Sequence, residues 1–298
     1  MLKRTLFFTS PCHLSIRLSQ LFIQRQDQED RTIPLEDIAV LVLENPAITL
    51  TVACLQRLFE QVVVVVVCDA KHMPDALLLP SSANHVHAEV LRLQIEASLP
   101  LTKQLWRQTI QAKIRNQAEL LERLDRKGSS RLRQMGREVK SDDADNREGV
   151  AARVYWQNLF GDPTFVRERE GEAPNSLLNY GYAVLRAATA RALVSSGLLC
   201  AIGIHHRNRY NPYGLADDIM EPYRPFVDQM VCDILRNGPA ELQLTPEVKM
   251  KLLDVLACDT LLNGERSPLM VALSTTTASL VRCLRGEGNT ELLYPCLR

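Results

Sequence analysis

The first eighty residues carry short runs in which apolar and polar positions alternate, or in which β-branched residues follow one another without interruption. Leu2–Thr9 and His13–Gln24 alternate, as half-buried strands do. Ile38–Leu43 is a third run, and Gln61–Val67 contains six consecutive valines, which predicts a strand buried on both faces. Leu50–Phe59 has helical spacing between them. Pro11, Asn45–Pro46 and the charged stretch Gln26–Arg31 punctuate the runs, and Pro74 with Pro80–Asn84 reads as a linker.

Beyond residue 80 the period lengthens to that of helices. His85–Ala97 and Leu101–Leu124 are amphipathic, and Ser141–Arg147 is a turn-rich acidic stretch supplying N-caps for a helix from Glu148 to Gly161. Asn175–Gly197 is a long helix rich in Ala and Leu, whose small residues, Gly181 among them, permit close packing; Asn179 and Tyr180 are its polar exceptions. Phe226–Arg236 continues as helix, Thr245 with Glu247 opens another, Asn263–Pro268 is a loop, and Pro268–Arg285 is the last helical region. The fold class expected is therefore α+β and mostly helical. A small β-rich domain, 1–80, serving dimerisation, partner docking or only the fold, precedes a larger all-α domain, 81–298.

Composition changes this picture little. With 35 Lys and Arg against 35 Asp and Glu the net charge is zero, so any attraction for nucleic acid must be local. Residues Lys103–Lys140 supply such a region: eleven Lys or Arg against four acids, an excess of seven, with Trp106 among them. It is either a solvated helix face or a surface that tracks phosphates. The eight cysteines form no CxxC pair and are expected to be reduced and mostly buried. The N-terminus lacks a signal-peptide core, and the valine run is far below the ~20 residues that span a bilayer, which predicts a soluble, cytoplasmic chain.

The candidate chemistry concentrates in Ala201–Pro225, AIGIHHRNRYNPYGLADDIMEPYRP. On a helix, Asp218 and Glu221 are three residues apart and Asp217 and Glu221 four, so either pair shares a face and needs a cation, from Arg207, Arg209, Arg224 or a metal. Pro222 and Pro225 either open a helix or kink one. His205 and His206 precede them. A histidine with carboxylates is an oxygen-rich set that favours Mg²⁺ or Mn²⁺ over structural zinc. There is no Walker A loop, HExxH, GxGxxG or serine-triad order.

Three blocks, EGVAARVYW (148–156), LNYGYAVLRA (178–187) and IGIHHRNRYNPYGLADDIMEPYRP (202–225), resemble in order and spacing the CRISPR-associated endonuclease and integrase of the adaptation module, most of all its type II version. The resemblance implies a metal triad of the Glu opening the first block, the His of the G-x-x-H turn and the acid ending the D-x-x-E step. These fall on Glu148, His206 and Glu221, as catalytic residues and ligands of Mg²⁺ or Mn²⁺. Asp218 and His205 are supporting residues, and Arg207, Asn208, Arg209, Tyr210 and Arg224 are candidate DNA contacts. It further implies a homodimer, two dimers bridged by a small second CRISPR protein, and insertion of short foreign DNA fragments into a repeat array by 3′-hydroxyl attack. The rival readings are a metal-dependent nuclease on branched DNA in repair, a non-catalytic nucleic-acid scaffold, and a helical protein with no nucleic-acid role.

Overall fold

The computed structural model describes residues 3–26, 28–81, 83–238, 243–288 and 290–297. It divides into two compact units, Met1–His87 and Ala88–Arg298.

Among the described residues the first unit contains eight strands and one α-helix: β1 (Arg4–Phe8), β2 (His13–Arg17), β3 (Gln20–Gln24), β4 (Arg31–Pro34), β5 (Ile38–Leu43), β6 (Thr49–Leu50), α1 (Val52–Glu60), β7 (Val64–Cys68) and β8 (Pro74–Leu78). They form two four-stranded sheets, ordered β1-β5-β7-β8 and β4-β3-β2-β6. In the first sheet β1, β5 and β7 are parallel, and β8 is antiparallel to β7. The central strands β5 and β7 explain the uninterrupted aliphatic runs: all of Ile38–Leu43 is buried, and so are Val63–Val66. Leu14, Leu21 and Ile23 from one sheet, Leu41, Leu43 and Val65 from the other, and Cys54 and Leu58 of α1 share one core.

Two expectations change here. The alternating stretch His13–Gln24 is a hairpin rather than a single strand, and β2 turns into β3 through Leu18 and Ser19, with φ of 47° and 60°. No Asn-Gly pair marks this turn, and alternation continues across it, so period alone does not reveal it. Pro74, expected in the linker, is the first residue of the edge strand β8, where its missing N–H costs no central ladder bond. The linker stretch Pro80–Asn84 includes Ser82, outside the described residues, as are Asp27 of the Gln26–Arg31 stretch and Leu2 of the first run.

The second unit is built from α2 (His87–Ile95), α3 (Leu99–Arg123), α4 (Ser129–Glu138), α5 (Arg147–Leu159), α6 (Asn175–Ser195), α7 (Gly214–Met220), α8 (Arg224–Asn237), α9 (Pro246–Leu253), a hairpin of β9 (Asp259–Leu262) and β10 (Glu265–Pro268), and α10 (Leu269–Arg285). The hairpin departs from the all-helical expectation. The run read as a loop at Asn263–Pro268 is its turn and second strand, with Asn263 and Gly264 both at positive φ. Helix α3 lies against α4, α5, α7 and α8, and its buried face runs through Trp106, Ile110, Lys113 and Gln117. Helix α6 packs on α8 at Gly181, where any side chain would overlap Val227. Among the described residues no helix is long and apolar enough to cross a membrane.

Candidate metal centre

Glu148 lies in the first turn of α5. The loop before it positions that turn: Asp143 accepts from the N–H groups of Arg147 (2.8 Å) and Glu148 (3.0 Å), and Asn146 accepts from Gly149 (3.2 Å). Asp142, Asp143 and Asn146 all adopt left-handed backbone, with φ of 61°, 48° and 50°. Asp and Asn tolerate this conformation better than other side chains, which gives the SDDADN composition a physical cause.

His206 sits in the loop between α6 and α7, and Asp218 of α7 holds it. That carboxylate, fully buried, accepts from the backbone N–H of His205 (2.9 Å) and of His206 (3.3 Å), and pairs with His206 Nδ1. Gly203 makes this possible: a Cβ there would lie 2.6 Å from Asp218 Oδ2 and 2.6 Å from the His206 carbonyl oxygen. Upstream, Gln94 of α2 donates to the carbonyls of Leu199 (2.9 Å) and Ile202 (2.8 Å) and accepts from Leu199 N–H (2.9 Å), fixing the start of the loop. Trp106 completes the support, stacked on His205 at 4.1 Å and edge-on to His206 at 5.7 Å.

Glu221 stands where α7 breaks. Helix α7 ends at Met220, one 3₁₀ turn spans Glu221–Tyr223, and α8 restarts at Arg224 with Pro225 in its first turn. The prolines thus mark both a break and a new start. Asn116 of α3 donates to the Pro222 carbonyl at 2.7 Å, which pins the break against α3. Asp217, Asp218 and Glu221 bind different partners. Asp217 goes to Arg186 (2.7 Å) and Asn211 (2.7 Å), Asp218 to the histidine loop, and Glu221 to Arg224 (2.9 Å).

Glu148 and Glu221 come together on a residue that its sequence context assigns to the basic surface. Lys113, counted among the cations of the basic stretch, is 9% exposed, and its Nζ is 2.6 Å from Glu148 Oε1 and 2.6 Å from Glu221 Oε2. The readable signal is a lysine at a core position of the apolar stripe of α3. Burial pushes the Glu221 carboxyl up, but Arg224 and Lys113 outweigh it and hold it below the usual range. The bond to Asp218 holds the His206 imidazole above its usual value, against partial burial, with Glu221 adding to the effect.

Other residues take different places. Arg224 is bound to Glu221 and lies over the Tyr182 ring at 4.7 Å, so it belongs to the site's interior. Arg207, Asn208, Arg209 and Tyr210 are exposed. The first three line, with His206, Gln94 and Thr102, a cavity of about 660 Å³. Asn179 ties down the loop after α5 through Arg167 (2.6 Å) and the Arg169 carbonyl (2.7 Å), and Tyr180 is fully buried. His205 faces Asp142 at 3.5 Å.

Among the described residues no three His, Cys, Asp or Glu side chains form a ready-made metal cage. The donor set nevertheless fits a hard divalent ion. Two carboxylates already converge on one cationic nitrogen, and Glu221 Oε2, though buried, has no correctly directed hydrogen bond among the described residues. With Nδ1 engaged by Asp218, Nε2 is the nitrogen His206 could offer a metal, the carboxylate–histidine arrangement typical of metal sites.

The family model described as "CRISPR associated protein Cas1" matches residues 6–249. The CRISPR-associated endonuclease Cas1 of Neisseria meningitidis serogroup C (strain 8013) is 37% identical over 293 residues, covering 98% of this chain and 95% of that protein. Among solved structures, a casposase bound to integration product superposes with a TM-score of 0.79 at 19% identity, covering 98% of this chain and 92% of its own. A Cas6-RT-Cas1–Cas2 complex matches with a TM-score of 0.75 at 20% identity, over 99% of this chain and 36% of the larger one. These two show the shared fold. With a family model spanning most of its length and a relative similar from end to end, the chain belongs to the CRISPR associated protein Cas1 family.

Proposed function

We propose that this chain is the metal-dependent DNA integrase and endonuclease of CRISPR adaptation, inserting short foreign DNA fragments into the repeat array. The observation that carries this reading is the convergence of Glu148 and Glu221 on one cation, each at 2.6 Å, beside an imidazole oriented by Asp218. Glu148, His206 and Glu221 would hold Mg²⁺ or Mn²⁺. When bound, the ion supplies charge neutralisation at the scissile phosphate and alignment of the attacking oxygen.

The chain's own groups account for the rest. The exposed Arg207, Asn208, Arg209 and Tyr210 offer donors, and cations, to a phosphate backbone at the rim of the His206 cavity. Arg224 stays inside and fixes the direction of Glu221. In the reaction a 3′-hydroxyl of the fragment forms a new bond to phosphorus as the bond to the repeat strand's own 3′-oxygen breaks. One phosphodiester replaces another, so no external energy source is needed. Water in place of the hydroxyl gives cleavage.

The same reading takes the first unit as the dimerisation or docking module, the working form as a homodimer, and a small second CRISPR protein as the bridge between two dimers in the cytoplasm. Support for such partners comes from two of the matching structures: one is a complex that contains Cas2, and the other is a casposase bound to its integration product. The Neisseria relative is a CRISPR-associated endonuclease, and the second reading is nuclease action alone, on branched DNA in repair.

A strand-transfer assay separates them. It combines the chain and its small partner, a labelled duplex with free 3′-hydroxyls and a supercoiled repeat-bearing plasmid, with and without Mn²⁺. Wild type should transfer label only with metal, and His206→Ala should lower transfer roughly 10²-fold or more. Persistent transfer in the variant rejects His206 as ligand. Cleavage of branched DNA with no transfer by wild type selects the repair nuclease.

A further inference from the structure

The lysine between the two glutamates is absent from the triad and touches two of its three members. Lys113 is nearly buried, and its ammonium touches Glu148 Oε1 and Glu221 Oε2 at 2.6 Å each. A divalent ion held by those carboxylates would need the same space and the same lone pairs. We propose that Lys113 is the site's resident counter-cation: it holds Glu148 and Glu221 together in the metal-free chain and competes with the divalent ion for them. This rests on the reading of Glu148, His206 and Glu221 as the metal ligands.

Charge gives the consequence. Without metal, the two glutamates are balanced by Lys113 and Arg224, while Asp218 is committed to the His206 loop and Asp217 to Arg186. A divalent ion added to this balanced set makes the site net positive. A phosphodiester supplies the missing negative charge, as substrate phosphates commonly do at sites with few carboxylates. The ion therefore binds weakly alone and more tightly with DNA, and DNA likewise binds more tightly with the ion, because the coupling is reciprocal. Such a device idles the nuclease when no substrate is present.

The side chain is suited to the task. An ammonium is a compact charge on a flexible four-carbon stem, whereas a guanidinium fork would lock onto a carboxylate. One helical turn along α3, on the same face, the buried Gln117 has an Oε1 with no hydrogen-bond partner among the described residues, an acceptor for a displaced ammonium.

The test is Mn²⁺ binding by isothermal titration to the full chain, at one pH and salt concentration, with and without a short duplex. Wild type, Lys113→Met, Lys113→Gln and Glu148→Gln are compared. Without DNA, K113M and K113Q should bind Mn²⁺ at least tenfold more tightly than wild type. Their metal-free melting temperatures should be lower and be restored by Mn²⁺. The duplex should tighten Mn²⁺ binding more in wild type than in the variants. K113Q keeps a donor between the carboxylates and carries the comparison if K113M does not fold. If wild type binds Mn²⁺ and E148Q does not, but the Lys113 variants bind no more tightly than wild type, the counter-cation is overturned and the triad stands. If no Mn²⁺ binding depends on Glu148, the triad fails and the counter-cation fails with it.

Discussion

Asp218 orients His206 by hydrogen bonds to both its backbone and its ring. It is fully buried, receives two backbone N–H groups and one ring nitrogen, and makes no ion pair with Lys or Arg among the described residues. Asp218→Asn keeps the volume but replaces one acceptor oxygen with a donor facing an N–H. The loop should loosen and the imidazole lose its fixed tautomer. Mn²⁺ affinity is expected to fall about 10–100-fold, as for other groups that orient metal ligands. Titration calorimetry on the variant, with circular dichroism to verify folding, checks this; unchanged affinity would remove Asp218 from the site. Residue identity is most legible where the chemistry is local, as in the G-x-x-H turn and the D-x-x-E step. It is least legible at Lys113, 35 residues before Glu148 and 108 before Glu221, because only the folded chain brings such distant positions together.

At the scale of elements, the turn between β2 and β3 is an unfavourable local choice in the first unit. Leu18 and Ser19 both have positive φ, and Leu18 is 98% exposed, so it gains nothing by burial. A left-handed residue other than Gly or Asn costs on the order of 1–2 kcal/mol. Replacing the pair by Asn-Gly should stabilise the chain by about 1 kcal/mol or more without changing strand register, measured as a shift in the urea midpoint. A shift toward lower urea would show that left-handed strain at Leu18 and Ser19 does not limit stability. Elements with a strong period and clear caps are legible in the sequence nearly to the residue. Ile38–Leu43 is β5, and Asn175–Gly197 is α6 with two residues trimmed. The hairpin β2–β3 and the short strands β4, β6 and β8 are not, since their existence depends on pairing with distant strands.

At the scale of the molecule, one buried acid ties three helices together. Asp228 of α8 accepts from Tyr155 of α5 at 2.7 Å and from Tyr182 of α6, and it is 1% exposed. Burial pushes its pKa up from 3.8 to about 6, against the opposing effect of the two tyrosine hydroxyls. A raised folded pKa means that the folded state binds the proton more tightly than the unfolded one. The contribution to stability is full below about pH 3.8 and is lost as pH rises through about 6. Over that window Asp228 should remove on the order of 3 kcal/mol of stability. Asp228→Asn should abolish this component, seen as the difference between wild-type and variant unfolding free energies from pH 4 to pH 6. A difference independent of pH would show that Asp228 is already ionised throughout. The sequence by itself determined the class of elements and the division into a strand-rich and a helical part, because period is a property of neighbouring positions, and its resemblance to a known family supplied the residues proposed as the triad. Only the tertiary structure decided which cation each carboxylate meets. Glu221 meets Lys113 and Arg224, Asp217 meets Arg186, and Asp218 meets the histidine loop, because those partners stand on other helices and loops.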